Sequence, residues 1–194
     1  MKTSPRRLPL IGIGFLAVTF LGGCALTKDY VSLSYVPQAN VAKIDGADAV
    51  TVSLDVKDVR TIQDKVSAKK NGFGMEMAAI IAKEDVARTV KSAIEAELAN
   101  RGFRLGGGGV SVISELSKFY SDFKVGFWSG DAVAEVTMNV QVKKADGSIG
   151  FSKLVTGAGG KENLQLASGS NAKVALDTAL KDAVSKLFND AAFI

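Results

Sequence analysis

The 194-residue sequence has no histidine, one cysteine, one tryptophan and three prolines. Each shortage excludes a class of chemistry. A serine or cysteine triad would lack its imidazole. Zinc held by His and Cys is excluded, because one thiol alone cannot build such a site. One cysteine allows no disulfide within the chain, so stability must come from packing and hydrogen bonding. No apolar run approaches the roughly 20 residues that a membrane-spanning helix needs. Carboxylate chemistry remains formally open. Asp55, Asp58 and Asp64 lie with Lys57 and Arg60 in one charged stretch, where a solvated strand end is the simpler reading and a binding site the alternative.

The one cysteine, Cys24, has a telling position. Residues 1–9, MKTSPRRLP, carry Lys2, Arg6 and Arg7 and no acid. Residues 10–21, LIGIGFLAVTFL, are a 12-residue apolar run, followed by Gly22 and Gly23. A basic head, a short apolar run and small residues at the exit form an export-signal pattern. The Arg6-Arg7 pair reads as ordinary head charge, since Pro5 precedes it and Leu8-Pro9 follows.

Leu21-Gly22-Gly23-Cys24 resembles the lipobox of a bacterial lipoprotein precursor. The resemblance implies cleavage before Cys24, a diacylglyceryl thioether on its sulfur and an acylated new amino terminus. Ala25 follows, where an aspartate would signal inner-membrane retention in enteric bacteria, so the rule points to the outer membrane. One acyl chain holds a protein to a bilayer only marginally, whereas more than one gives stable anchoring. The expected division is a signal peptide at 1–23, a lipid-anchored tether at 24–44 and one periplasmic domain at 45–194. YVSLSYV (30–36), within the tether, could add an edge strand.

Cleavage would also change the charge. The full chain carries +4; without Lys2, Arg6 and Arg7 it has 21 basic and 20 acidic side chains, or +1. No net electrostatic case for nucleic acid survives. The 171 residues from Cys24 onward suit one domain with a real core.

Periodicity outlines that domain. In AVTVSLDVK (49–57), Val50, Val52, Leu54 and Val56 alternate with polar residues, predicting a strand with one buried face. MEMAAIIA (75–82) stays open between a strand and the approach to a helix. Residues 84–100 predict a helix on Val86, Val90, Ile94 and Leu98, with Lys91, Arg88, Glu95 and Glu97 facing away. Gly102 is placed as its C-terminal cap. Gly106–Gly109 reads as a turn, because a phosphate loop needs spaced glycines with a lysine and a hydroxyl. Residues 110–120 predict a strand with a bulge or bend, since the alternation is not clean.

Residues 131–143 alternate cleanly, with Ala132, Ala134, Val136, Met138, Val140 and Val142 on one face. Asp146-Gly147 predicts a hairpin turn into a strand at 149–156. Residues 157–169 read as a polar loop and 170–190 as the last helix. One apolar stripe per helix and one polar face per strand predict an α/β (α+β) two-layer sandwich. Its helices pack on one face of a mixed, mostly antiparallel sheet.

Taken in order, four pieces resemble the YajG-like family of bacterial outer-membrane lipoproteins. They are SLDVKDVR before an asparagine-glycine loop, a helix ending in EAELANRGFRL, VSVISELSKFYSDFKVG leading into AEVTMNVQV, and the terminal helix. The resemblance spans roughly residues 45–190 and implies an outer-membrane-anchored protein facing the periplasm. It brings no catalytic or binding residues.

The expectation is a non-enzymatic lipoprotein without a cofactor or metal, tied to the bilayer through acylated Cys24 and making protein contacts in the cell envelope. The alternative is a carrier for a lipid or envelope glycan. Candidate interaction residues are Lys65, Lys69 and Lys70, a small basic patch suited to headgroup or lipopolysaccharide phosphates, and Phe127 with Trp128, in a glycine-flanked loop. For each, a solvated loop or ordinary packing is the simpler reading.

Overall fold

The computed structural model describes residues 26–126 and 128–194. Eight strands and two long helices follow in the order β1 (Asp29–Val31), β2 (Thr51–Asp58), β3 (Ser67–Lys70), β4 (Glu76–Ala82), α1 (Val86–Asn100), β5 (Arg104–Leu105), β6 (Val110–Val125), β7 (Gly130–Lys143), β8 (Ile149–Leu164), α2 (Gly169–Phe188). The five-stranded sheet runs β5-β2-β6-β7-β8 and the three-stranded sheet β1-β4-β3. β2 is parallel to β5 and β6, while the long pairs β6–β7 and β7–β8 are antiparallel. The Ser121 amide donates to Val66 O at 2.9 Å and stitches the sheets together. Two helices on a mixed, mostly antiparallel sheet make this the expected two-layer α/β sandwich.

The irregular alternation of β6 has a specific cause. Val112, Ser114 and Leu116 are buried, then Phe119, Ser121 and Phe123. Leu116 pairs with Met138 and Lys118 with Thr137, so Ser117 is an extra residue. A bulge shifts the two-residue period by one and keeps both halves facing the core. β7 needs no such device: Ala132, Ala134, Val136, Met138 and Val140 are all buried.

Both helices are capped at their first turn, and α1 also at its end. Asp85 Oδ1 accepts from the Arg88 amide at 2.7 Å, and Ser168 caps α2 by accepting from Asn171 at 3.4 Å. Gly102 takes φ +98°, and Phe103 donates back to Leu98 O at 3.1 Å. That left-handed step suits glycine and lets Phe103 pack on the core. Buried Ile94, Leu176, Leu180 and Leu187 form part of the helix contribution to the core. Burying each such side chain stabilises by about 1.5–3 kcal/mol.

Two expectations need correction here. Residues 157–164, within the stretch read as a loop, belong to β8. Gly157 and Gly159 serve close packing instead. A Cβ on Gly157 would lie 2.3 Å from Ala179 O and Ala183 N, and one on Gly159 would lie 2.2 Å from Ala175 O. Ala175, Ala179 and Ala183 form the facing stripe of α2, so helix and strand backbones meet with no room for a methyl group.

The second correction concerns the tether. Residues 29–44 are part of the folded unit. β1 pairs with β4. Ser34 donates its amide and hydroxyl to Asp177 at 3.0 and 2.7 Å, and the Ile44 amide donates to Arg101 O at 3.0 Å. YVSLSYV supplies only Tyr30 and Val31 to a strand; the rest is a strap across the helices.

The strap is held by a charge the helical wheel put on the wrong side. Glu97 is fully buried. It accepts from Tyr35 Oη at 2.6 Å and from the Gln38 amide at 2.7 Å, and it pairs with Arg101. Arg101 also donates to Gln38 Oε1 at 2.9 Å and sits 4.4 Å above the Phe188 ring. Burial alone would raise the Glu97 carboxyl, but the Tyr35 hydroxyl, the Gln38 amide and Arg101 outweigh it and hold it below the usual range.

Candidate functional site

Three turns converge at one end of the molecule. The β3–β4 turn is ordered by Asn71, whose Oδ1 accepts from the amides of Phe73 and Met75 at 3.0 Å each. The β6–β7 turn closes with the Gly126 amide on Ser129 O at 3.0 Å. The third connects β8 to α2 through Gln165–Ala167. Gly72, Phe123, Trp128, Leu164 and Leu166 line a shallow depression of about 220 Å³ between them.

The three tips carry the three most exposed large apolar side chains among the described residues. Phe73 is 91% exposed, Trp128 85% and Leu166 75%. Scattered exposed apolar residues are ordinary; here three converge on one end of the molecule.

The expected basic patch lies beside these tips, in a different electrostatic state. Lys65 pairs with Glu76, Lys69 Nζ lies 2.8 Å from Asp29 Oδ1, and Lys70 Nζ lies 2.6 Å from Asp122 Oδ1. All three lysines are charge-compensated, and Lys69 is buried. Trp128 stands at the tip. Phe127 and Cys24 lie outside the described residues.

Asp29 gathers the end together. Its Oδ2 accepts from the Gly169 amide at 2.8 Å while Oδ1 faces Lys69. Burial would raise its carboxyl, but Lys69 and the Gly169 amide outweigh that and lower it. Nearby Tyr120 donates to Glu76 at 3.4 Å. Its hydroxyl is pushed up to about 12, first by burial and then by the Glu76 and Asp122 carboxylates.

The charged stretch at 55–64 forms a structural clamp. Arg60 is buried and grips Asp58 with Nε at 2.9 Å and a second guanidinium nitrogen at 2.7 Å. Arg60, foremost, holds the Asp58 carboxyl below the usual range.

A family of proteins described as uncharacterized lipoproteins matches residues 37–194. The chain belongs to this lipoprotein family. It is therefore a membrane-associated, lipid-anchored protein.

Its fold is similar to that of protein XCC0632 from Xanthomonas campestris, of the DUF330 family. The identity is 12% and the TM-score 0.58, over 84% of this chain and 94% of that one. A minor lipoprotein from Acinetobacter baumannii matches at 8% identity and TM-score 0.45, over 73% of this chain and 91% of that one. The hypothetical protein CT253 from Chlamydia trachomatis matches at 7% and 0.42, over 74% and 95%. The likeness to XCC0632 is one of fold alone. No curated protein matches the chain.

Phe73 and Leu166 escape a periodicity reading because one falls in a glycine turn and the other in the segment read as a polar loop. The signal available for Phe73 was Asn71-Gly72, which places the next residue at a turn tip.

Proposed function

We propose that the protein is anchored to the outer membrane by acylated Cys24, within a YajG-like branch of its family. Its domain faces the periplasm and makes protein contacts there without catalysing a reaction. The observation that carries the contact is the outer edge of β8. Among the described residues β8 has no second strand partner. Thr156 O and the Ala158 amide point away from β7, toward Lys186 Nζ at 3.0 Å and Asp182 Oδ2 at 2.8 Å. By the two-residue period, the backbone groups of Ser152 and Leu154 face outward as well. Leu154 is 63% exposed. An extended partner segment laid along Ser152 and Leu154 would find outward donors and acceptors and an apolar side chain to cover, while the groups of Thr156 and Ala158 are held by α2.

The lipid-carrier alternative rests on an apolar cleft of about 250 Å³ at the other end, lined by Val50, Leu98, Phe103, Val142, Phe151 and Phe193. That lies below the roughly 300–1,000 Å³ of ordinary ligand pockets. The helix–sheet interface, where a larger cargo would sit, is closed by the Gly157 and Gly159 contacts with α2. These observations favour the protein-contact reading.

A photo-crosslinking residue in place of Leu154, activated in native membranes, tests it. The expected result is one recurrent protein adduct, absent when the same residue replaces Val174 on α2. Equal labelling from both positions, or none from Leu154, would sink the reading.

A further inference from the structure

The apolar end and the anchor share a direction. β1 runs parallel to β4, with Asp29 opposite Ile80. The chain before Asp29 therefore leaves toward the Glu76 end of β4, which is the end bearing the β3–β4 turn. Asp29 is itself fixed by Lys69 of β3 and by the Gly169 amide at the start of α2.

The reach is short. Five residue steps separate Cys24 from Asp29 and span at most about 18 Å when fully extended. From the level of Ile80 to Glu76 is about 13 Å along β4, and the Phe73 turn lies beyond. A fully extended link therefore ends about 5 Å beyond the level of Glu76, beside the β3–β4 turn, so an anchor at Cys24 keeps the bilayer surface at this end of the domain.

We propose that Phe73, Trp128 and Leu166 seat this end of the domain in the interfacial layer of the bilayer that holds the anchor. The proposal rests on the Cys24 reading for its geometry. The seat is apolar in character, because Lys65, Lys69 and Lys70 are already paired with carboxylates. An amphipathic indole with its ring in the headgroup region is a recurrent membrane anchor. Lys124 is the one other lysine lining the depression, so the contact depends little on salt, unlike a polybasic surface.

Trp128 is the only tryptophan in the chain, so its fluorescence reports on this end alone. The test uses full-length protein purified from membranes and reconstituted in phosphatidylethanolamine–phosphatidylglycerol vesicles with brominated acyl chains. Mass spectrometry of the N-terminal peptide reports separately on Cys24. The expected result is a blue-shifted Trp128 emission, quenched by the brominated lipid and unchanged between low and high salt. In Phe73→Ser and Leu166→Ser that quenching falls roughly two-fold or more, since each removes one of three apolar insertions.

Acylated Cys24 with Trp128 still open to an aqueous quencher overturns the seating and leaves the anchor reading intact. Unmodified Cys24 overturns the anchor reading. The Trp128 spectrum then decides the seating by itself, quenching by bromolipid supporting it and quenching only from water overturning it. A protein adduct in place of lipid adducts from a photo-crosslinking residue at Phe73 in native membranes also overturns it.

Discussion

Asp29 Oδ2 accepts from the Gly169 amide at 2.8 Å across 140 residues of chain. One carboxylate thus ties the point where the anchor segment leaves to the start of the last helix. Replacing it with alanine removes the Asp29–Lys69 ion pair and takes the acceptor from the Gly169 amide. Asp29→Ala should destabilise the fold by about 1–3 kcal/mol. Urea unfolding checks this, and an unchanged midpoint would show that the tie contributes nothing.

The buried Glu97–Arg101 pair predicts a non-additive pair of changes. Glu97→Leu strands a buried guanidinium and should cost about 3–5 kcal/mol, whereas Glu97→Leu with Arg101→Met should recover much of that. Tyr35→Phe removes one donor and should cost about 1 kcal/mol. Additive losses across the double variant would show that the two charges act independently.

Gly157→Ala should be severe. Its Cβ would meet the α2 backbone at 2.3 Å, so the helix must move off the sheet, at a cost of about 2–3 kcal/mol or more. Gly72→Ala, with nothing within 4 Å of the added carbon, should change stability by less than about 1 kcal/mol. Thermal unfolding of the two variants side by side decides the matter; similar losses would contradict the close-packing account.

β8 is guarded by Asp182 and Lys186, which are 2.7 Å apart and occupy the outward groups of Ala158 and Thr156. An unguarded edge strand recruits other strands. Asp182→Ala should therefore make the protein self-associate as concentration rises, with a stability change of about 1 kcal/mol. Sedimentation velocity reads the result, and a variant that sediments like its parent at every concentration refutes the guarding role.

The acid and alkaline limits follow from opposite signs. Asp29, Asp58 and Glu97 have lowered carboxyl values in the fold. Their contribution is complete above the ordinary carboxylate range, about pH 4, and is lost as pH falls through the lower folded values. Tyr120 is raised to about 12. Its contribution is complete below the ordinary tyrosine value of about 10 and is lost between about 10 and 12. Circular dichroism across pH should show a plateau at neutral pH and losses at both ends. A Glu97→Gln variant whose acid limb coincides with the parent's would remove Glu97 from this account.

Much of this fold is legible in the residue pattern because its faces are clean. β7 alternates without interruption, and α1 and α2 each show one apolar stripe. The errors fall where local pattern and tertiary role part company. Gly157 and Gly159 look like loop punctuation, yet their missing side chains are what admits α2. Glu97 sits beside polar neighbours on a helical wheel, yet Tyr35 and Gln38 arrive from 59 or more residues away to enclose it. The lysines at 65, 69 and 70 look like free charge, because the carboxylates that meet them come from β1, β4 and β6. The tips were half visible: Trp128 stood out by its glycines, while Phe73 and Leu166 gain meaning only when three turns meet.

The β6–β7–β8 stack also sets a length. β7 runs from Gly130 to Lys143, about 45 Å at the rise of an extended strand. The Trp128 turn lies at one end and the Asp146-Gly147 turn at the other. Both flanking pairings hold along that span. Anything that meets the Asp146-Gly147 turn is held at a fixed standoff from anything that meets Trp128, making the domain a rigid spacer between two unlike surfaces.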